Sequence, residues 1–339
     1  ISFNSFGEEE LDFSSDTFCN KSPNVQIRNN LYYLPNKEKP YSGENICVYS
    51  SNGQYFNRGN FKKGLKVGIW TQWYANGQKQ IASNWKNGLV DGKLTNWFEN
   101  GQKQLEGDSK NGKEDGKWTT WYANGQKKAV ANYKDGMQDA KLTSWFENGQ
   151  KQAEGNYKNG KQDEKWITWY EDGQIKDTAN WVDGKIVDQI QLFLHEDGQK
   201  KAVVNFKGSK QHGKTTSWRK NGQLENEQNW KDGILVSERT YSYYLENDQI
   251  YSEEYKKNGV ADGKWTMWFE NGQKNHEKNY KNGQFNGKWT TWYANGKKRR
   301  EFNYKLNKKD GNWTDWHKDG QIRSVSNYKD GKCISGDCD

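Results

Sequence analysis

Aromatic and polar residues alternate along this chain in short runs that end at glycine. In residues 116–136, GKWTTWYANGQKKAVANYKDG, the pairs Asn124-Gly125 and Asp135-Gly136 bracket one such run. Alternation of this kind is typical of a half-buried strand. Asn-Gly and Asp-Gly favour the two-residue type I′ turn of a β-hairpin, because both central residues need a positive φ. The pattern therefore predicts strand, turn, strand and turn, which is an antiparallel meander.

The pattern recurs every 24 residues along most of the chain, with longer steps of 25 and 26 residues before Gly198 and Asp248. The turn position is occupied by Gly53, Gly77, Gly101, Gly125, Gly149, Gly173, Gly198, Gly222, Asp248, Gly272, Gly296 and Gly320. A second turn series lies between them, at Gly64, Gly88, Gly112, Gly136, Gly160, Gly184, Gly208, Gly233, Gly259 and Gly283. Such repetition predicts a repeat protein. We expect an all-β fold: an elongated single-layer antiparallel meander of about eleven to twelve 24-residue β-hairpin repeats, forming a twisted ribbon or rod.

The two turns of one repeat predict which side chains share a face of the sheet. If each turn contains two residues, Ala129 is opposite Thr120 on one side and Leu142 on the other, and Trp118 is opposite Ala131. Because side chains alternate between faces, one face carries Trp118, Tyr122, Ala129, Ala131, Tyr133, Leu142 and Phe146. The opposite face carries Thr119, Trp121, Lys128, Val130 and Asn132. Both turns give the same assignment, which favours one continuous sheet.

A column of tryptophans stands four residues before the turn glycine, on the face that is otherwise polar. Its members are Trp73, Trp97, Trp121, Trp145, Trp169, Trp218, Trp268, Trp292 and Trp316. Monomers rarely expose contiguous apolar patches, so we interpret this column as the candidate binding surface. Two residues after the glycine come Lys79, Lys103, Lys127, Lys151, Lys274 and Lys298. We expect these lysines to lie over the Tyr and Phe rings that end the preceding strands, as cation–π pairs.

Composition narrows the fold to a thin structure. Only 31% of the residues are hydrophobic, yet the chain has 18 Trp, 19 Tyr and 35 Gly. Few aliphatic residues are available for a deep core, while disordered chains avoid aromatics. Acidic and basic residues are interspersed and give a net charge of +8, without the basic block of a nucleic-acid-binding arm. No apolar run is long enough to span a membrane.

The cysteines stand in two pairs near the ends of the chain: Cys19 with Cys47, and Cys333 with Cys338. We interpret them as two structural disulfides and, together with Ile1 in place of Met, as signs of a mature secreted or cell-surface protein. The alternative is four free thiols in an intracellular protein. We divide the chain into an irregular segment, 1–40, which caps the sheet or donates a strand, the repeat array, 41–332, and a disulfide cap, 333–339.

The repeat resembles a known family. The segment DGKWTTWYANGQKKAVANYKDG is similar to the variant class of membrane occupation and recognition nexus (MORN) repeats that is widespread in bacterial proteins. Residues 41–64, YSGENICVYSSNGQYFNRGNFKKG, are similar to the way such arrays begin, and the resemblance covers about residues 41–332. Members of the family include antitoxin-like, surface and secreted proteins. The resemblance therefore implies a scaffold for protein contacts; the lipid binding of arrays with a different glycine pattern is not carried over.

No catalytic or metal-binding constellation is recognisable in the sequence. The four histidines, His195, His212, His276 and His317, fall in different repeats without ligands at suitable spacing. Carboxylates recur in every repeat, whereas a glycosidase needs one pair in a cleft. We therefore expect no enzyme activity, no cofactor and no metal.

Three functions remain as hypotheses. The first is a non-enzymatic structural or adhesive protein, or a protein-binding scaffold, which is secreted or at the cell surface and binds a partner or copies of itself. The second is a polysaccharide-binding protein that uses its Trp and Tyr stripes, and the third is an intracellular antitoxin-like binding partner. Between about residues 174 and 260 the tryptophan columns are interrupted. This stretch is either a bend or recognition site, or a set of repeats that has drifted.

Overall fold

The computed structural model describes residues 17–20 and 26–338, and every regular element in these ranges is a β-strand. Contacts divide the chain into two units. The first unit comprises the described residues up to Ile175 together with Asn180–Lys185, and the second comprises Lys176–Ala179 and the residues from Ile186 onward. The predicted all-β class and the antiparallel meander of hairpin repeats are confirmed.

In the first unit neighbouring strands from β4 onward pair antiparallel, and the short β12 and the longer β13 both pair with β11. The strands are β1 (Thr17–Asn20), β2 (Gln26–Arg28), β3 (Leu31–Tyr33), β4 (Gly43–Tyr49), β5 (Tyr55–Lys62), β6 (Leu65–Trp73), β7 (Lys79–Lys86), β8 (Leu89–Trp97), β9 (Lys103–Lys110), β10 (Lys113–Trp121), β11 (Lys127–Lys134), β12 (Met137–Gln138), β13 (Ala140–Trp145), β14 (Lys151–Lys158) and β15 (Lys161–Trp169). Strand β16 (Ile175–Val182) contributes residues to both units.

The second unit continues the same antiparallel order of neighbouring strands. Its strands are β17 (Lys185–Leu194), β18 (Lys200–Lys207), β19 (Lys210–Gln211), β20 (Gly213–Trp218), β21 (Leu224–Lys231), β22 (Ile234–Tyr243), β23 (Ile250–Lys257), β24 (Val260–Ala261), β25 (Gly263–Trp268), β26 (Lys274–Lys281), β27 (Gln284–Phe285), β28 (Gly287–Trp292), β29 (Lys298–Lys305), β30 (Lys308–Lys309), β31 (Gly311–Trp316), β32 (Ile322–Lys329) and β33 (Lys332–Gly336). The interrupted stretch of the sequence keeps the hairpin architecture.

The two turns of a repeat differ, although both contain Asn-Gly or Asp-Gly. At Asp135-Gly136 both residues have positive φ, 52° and 81°, as a type I′ turn requires. At Asn124-Gly125 the N–H of Gly125 donates to the carbonyl of Tyr122 (2.9 Å), and Gly125 has a φ of 85°. This is a three-residue loop that ends in a bulge, so the prediction of a two-residue turn here is wrong. Trp121, rather than Tyr122, is opposite Lys127.

A second irregularity, between Gln138 and Thr143, shifts the pairing of β11 with the following strand by two residues. Thr120 is opposite Ala129, as predicted, but on the far side Ala129 is opposite Ser144 rather than Leu142. The extra residues are accommodated after Gln138, where Ala140 takes a φ of 67°. A shift of two residues preserves the face of every side chain. The strand residues predicted on that face, Trp118, Ala129, Ala131, Tyr133 and Leu142, are therefore buried together despite the wrong register, whereas Tyr122 and Phe146 lie in the three-residue turns.

The core of the first unit lies on the face that carries Trp118, which we call the core face. Its buried cluster is Leu105, Trp118, Ala131, Tyr133, Leu142 and Trp166. The Trp118 ring lies flat on the backbone at Gly107, where any added Cβ would collide with the ring, and its Nε1–H donates to the carbonyl of Asp108 at 3.0 Å. Burial raises the pKa of Tyr133 to about 12. Glycine in a strand thus gives this thin sheet a buried tryptophan.

Disulfides join Cys19 to Cys47 and Cys333 to Cys338. The first links β1 to β4, whose strands pair antiparallel with these two cysteines opposite each other. The ring of Tyr32, in the β2–β3 hairpin, packs on Phe61 at a centroid distance of 4.5 Å. The predicted capping segment, 1–40, lies only partly within the described residues, since 1–16 and 21–25 fall outside them.

Candidate functional site: the tryptophan ladder

The nine predicted tryptophans each end a strand at the three-residue turn, and all nine are half-buried. We call them the tryptophan ladder. Five rungs belong to the first unit and four to the second. Within a unit, successive rungs are separated by two strands, or about 9.6 Å at the usual strand spacing. The exception is Trp218 and Trp268, which are four strands apart because β22 between them ends at Tyr243. The ladder lies on the face opposite the core face, as the alternation of Trp118 and Trp121 predicts.

Five of the six predicted lysines lie over ladder rings, and not over the Tyr and Phe rings that the sequence predicts; the lysine over Tyr122 is Lys128, at 5.5 Å. The Nζ of Lys103 is 5.7 Å from the centroid of the Trp121 ring, and that of Lys79 is 5.9 Å from Trp97. Three other contacts measure 5.6 Å: Lys151 over Trp169, Lys274 over Trp292 and Lys298 over Trp316. The bulge places each lysine opposite the tryptophan of its own hairpin. Its side chain therefore reaches along the sheet to the next rung.

Four of these five lysines, all except Lys79, also belong to an ion-pair triad. The carboxylate of Glu106 accepts hydrogen bonds from the Nζ of Lys103 at 2.8 Å and pairs with Lys93 at 3.0 Å. Hydrogen bonding from Lys103, with a further contribution from Lys93, lowers the pKa of Glu106. Equivalent triads centre on Glu154, Glu277 and Glu301. Two lysines surround one glutamate in each, so every triad carries a net positive charge.

One repeat has both lysines of a triad but no glutamate between them. Val130 occupies the position of Glu106, opposite Thr119 and Thr143, so Lys117 and Lys127 lack the carboxylate found in the triads. The lysine side chains of the triads are themselves exposed: 63% for Lys93 and 44% for Lys103. The ladder face therefore combines half-buried indoles with an excess of accessible positive charge.

Tyrosine hydroxyls fix the backbone of the rungs across repeats. The Tyr122 hydroxyl donates to the carbonyl of Trp145 at 2.8 Å, and the same bond recurs from Tyr74 to Trp97 and from Tyr293 to Trp316. At Trp218 the donor is the Nε2–H of His195, 2.9 Å away. This role was not predicted from the sequence. Its only signal is the Tyr or Phe that stands three residues before most of the turn glycines; His195, Arg219 and His317 stand there instead before Gly198, Gly222 and Gly320.

The model of the MORN repeat variant family matches this chain seven times, at residues 66–87, 114–135, 138–159, 211–232, 261–282, 285–306 and 309–330. These repeats are MORN repeat variants. Each match covers a pair of neighbouring strands and the three-residue turn between them. The match at 211–232 lies inside the stretch where the tryptophan columns are interrupted. No curated protein matches the chain in sequence.

Two solved structures resemble the MORN array weakly. One is the crystal structure of TcdB2-TccC3, with 12% identity, a TM-score of 0.25, and coverage of 88% of this chain and 18% of that chain. The other is the Tc holotoxin pore of Photorhabdus luminescens, with 12% identity, a TM-score of 0.26, and coverage of 88% and 17%. This chain therefore spans less than a fifth of either, and likeness at this level carries no functional argument.

Within the described ranges the MORN repeats bring no three histidine, cysteine or carboxylate groups together as a metal site. The histidines have separate surroundings. His212 Nδ1 lies 3.2 Å from the carboxylate of Asp232. On another repeat, burial lowers the pKa of His276, and the positive charge of Lys278 lowers it further. None of residues 17–20 and 26–338 forms a helix long and apolar enough to cross a membrane. The ladder face is the most regular arrangement of polar and aromatic groups that these repeats offer.

Proposed function

We propose that this MORN protein is a non-enzymatic scaffold, secreted or at the cell surface, which binds an acidic protein partner along its tryptophan ladder. The observation that supports the proposal is the repeated unit of a half-buried indole with a lysine above it and a net-positive triad beside it. Tryptophan is enriched at the energetic centres of protein interfaces, and net positive charge favours an acidic partner.

Each rung contributes little binding energy alone, but several rungs that bind one partner raise the overall affinity. A surface ion pair contributes only about 0–1 kcal/mol, so the lysines of a triad can exchange Glu106 for a partner's carboxylate at little cost. Rungs at a regular spacing let one partner engage several of them, and linked contacts multiply in affinity. An extended or repetitive acidic partner matches this geometry better than a small ligand does.

The extracellular location rests on the disulfides. Cys19–Cys47 and Cys333–Cys338 are bonded pairs, and such bonds persist in oxidising compartments and are rare in the cytosol. This favours a secreted or surface scaffold over an intracellular antitoxin-like partner.

The regular spacing of the rungs also favours the second candidate, a polysaccharide, because aromatic rings stack on sugars. A lysine lies over five of the rings. Stacking would require these side chains to move, so we give preference to the protein partner.

Three probes separate the candidates: poly-L-glutamate as a model of an acidic protein, poly-L-lysine, and a soluble neutral glucan. We expect the native protein to bind poly-L-glutamate, with an affinity that falls as salt rises, and to bind neither of the others. The variant Lys274→Gln/Lys298→Gln keeps the rings and removes two cations, and it should bind poly-L-glutamate several-fold more weakly. The variant Trp268→Ala/Trp292→Ala/Trp316→Ala removes three of the four rungs of the second unit and should also bind several-fold more weakly, with the remaining binding due to the rungs that are left.

The matched control for the tryptophan variant is Ile234→Ala/Val260→Ala/Leu306→Ala, which removes exposed apolar side chains of the second unit. It should bind as the native protein does. Equal binding by the control, the native protein and both ladder variants would remove the ladder from the function. Binding of the glucan that the tryptophan variant abolishes would replace the protein partner by a polysaccharide.

A further inference from the structure

A second aromatic surface lies on the other face of the second unit, away from the ladder. We call it the aromatic patch, and it consists of Trp265, Tyr280, Phe285, Trp289, Phe302, Tyr304, Trp313 and Tyr328. Neighbouring ring centroids are 4.4–6.0 Å apart, from Phe302–Trp313 at the short end to Trp289–Tyr304 at the long end. Seven of the eight rings are half-buried, and only Tyr328 is buried.

The patch is open because bulky residues replace the glycines on which tryptophans lie in the first unit. Eleven residues before Trp118 stands Gly107, and Trp118 is 4% exposed. Eleven residues before Trp289 and Trp313 stand Lys278 and Phe302. Lys278 and Phe302 contact these rings with side chains where glycine would leave room: Phe302 is 4.4 Å from the Trp313 ring between centroids, and the Nζ of Lys278 is 4.7 Å from the Trp289 ring. Trp313 still donates to the carbonyl of Asn303 at 3.2 Å. The Nε1–H of Trp289 finds no acceptor in the structure.

Two cations lie on the rings of the patch. The Nζ of Lys278 is 4.7 Å from the Trp289 ring, and that of Lys309 is 4.0 Å from Trp313 and 4.5 Å from Tyr328. Neither lysine forms an ion pair with a carboxylate of the described residues. Acids on these repeats have other interactions: Asp315 pairs with Arg300 at 3.3 Å, Asp310 pairs with Lys329 at 3.7 Å, and the pKa of Tyr280 is raised by burial and further by the charge of Glu254. The patch thus suits an occupant that is both acidic and aromatic.

The chain itself contains a segment of that chemistry. Residues 1–16, ISFNSFGEEELDFSSD, carry five acidic residues, three phenylalanines and neither lysine nor arginine, in a protein whose net charge is +8. These residues lie outside the described part of the chain, so their composition alone enters the comparison. We propose that residues 1–16 of one copy bind the aromatic patch of a second copy.

The proposed contact is heterologous, since a segment of one molecule meets a different surface of the next. Such contacts build rings or open chains rather than closed two-fold dimers. The carboxylates of Glu8, Glu9 and Glu10 would meet Lys278 and Lys309, and the phenylalanines would stack on the patch. This self-association is independent of the ladder and leaves the ladder face free for a partner.

Sedimentation velocity over a range of concentrations tests the proposal on the full chain. We expect the average mass of the native protein to rise with concentration. The deletion of residues 1–16 and the variant Glu8→Gln/Glu9→Gln/Glu10→Gln should both stay monomeric. The variant Lys278→Gln/Lys309→Gln should also stay monomeric, with an unfolding midpoint like that of the native protein. The ladder variant Lys274→Gln/Lys298→Gln should associate as the native protein does, which separates this proposal from the proposed function.

A synthetic peptide of residues 1–16, added to the deletion protein, tests the contact directly through tryptophan fluorescence. We expect saturable binding that weakens about tenfold or more in Lys278→Gln/Lys309→Gln, since both cations of the patch are removed. Unchanged peptide binding in that variant would overturn the proposal. So would association of the deletion protein equal to that of the native chain. A native protein that stays monomeric while the peptide binds would show that the segment occupies its own patch, and this too would overturn the proposed contact between copies.

Discussion

The two units are built from the same repeat, but their core faces differ in how deeply the tryptophans are buried. In the first unit Trp118 and Trp166 lie on Gly107 and Gly155 and are 4% and 6% exposed. In the second, the positions eleven residues before Trp289 and Trp313 hold Lys278 and Phe302, and the rings stay half-buried. A single strand position therefore decides whether a tryptophan becomes core or surface.

The backbone framework, by contrast, is the same in both units. The Nδ2 of Asn100 donates to the carbonyl of Ala123 at 2.8 Å in the first unit, and Asn271 donates to Ala294 at 2.8 Å in the second. The Oδ1 atoms of the same asparagines accept the N–H two residues on. These hydrogen bonds between successive turns stabilise the backbone in both units. The side chains of the core face can therefore differ between the units without changing the strand pairing. This separation lets one unit bury its tryptophan rings while the other leaves them half-buried.

The largest expected effect comes from removing a buried ring. Trp118→Ala should lower the free energy of unfolding by about 3–5 kcal/mol, because a closely packed indole and its hydrogen bond to Asp108 are lost. The matched change in the second unit, Trp289→Ala, should cost clearly less, since that ring is half-buried and its Nε1–H has no acceptor. Urea unfolding followed by circular dichroism measures both. Equal losses would contradict the distinction between the two units.

The strand glycine gives the next largest effect. Gly107→Val should destabilise the protein by about 1–3 kcal/mol, because the new side chain collides with the Trp118 ring and forces it off the backbone. The matched control is Lys278→Val, at the equivalent position before Trp289, which should leave the unfolding midpoint nearly unchanged. If both valines are tolerated alike, the glycine does not determine the burial of the ring.

Much of this fold follows from the sequence, and the parts that do not have a common physical cause. The period, the strands and the two faces follow from the spacing of glycines and aromatics. The turns do not, because Asn124-Gly125 and Asp135-Gly136 present the same kind of dipeptide yet form a bulged three-residue loop and a type I′ turn. A bulge adds one residue without changing the local composition, so the pattern cannot reveal it.

The same bulge limits what the sequence reveals about the site. The ladder tryptophans are recognisable from their period, but a lysine such as Lys103 contacts Trp121 in the next hairpin rather than a ring in its own. Likewise, the bond from Tyr122 to the carbonyl of Trp145 spans 23 residues. Contacts between neighbouring repeats depend on the register, which only the structure gives.

The tyrosine bonds offer a test of what the two units share. Tyr122→Phe in the first unit and Tyr293→Phe in the second each remove one hydrogen bond to a tryptophan carbonyl. Each should lower the free energy of unfolding by about 0.5–1.5 kcal/mol, and by similar amounts. The control is Tyr55→Phe, whose exposed ring should make no measurable difference. A large cost in one unit and none in the other would show that the framework is not common to both.

The smallest expected effect concerns the triads, which occur in both units. Glu106 and Glu154 have a lowered pKa, chiefly because Lys103 and Lys151 hydrogen-bond to their carboxylates. A carboxyl whose pKa is lower in the folded than in the unfolded protein stabilises the fold above its unfolded pKa, and this contribution is lost as the pH falls through the folded value. Glu106→Gln should therefore cost about 0–1 kcal/mol at neutral pH and nothing in acid. Glu301→Gln in the second unit should behave alike, whereas Glu246→Gln, at an exposed turn outside the triads, should change nothing at either pH. Urea midpoints at neutral and acid pH measure the difference. A loss of stability that persists in acid would mean that Glu106 stabilises the fold by packing rather than through its ion pairs with Lys93 and Lys103.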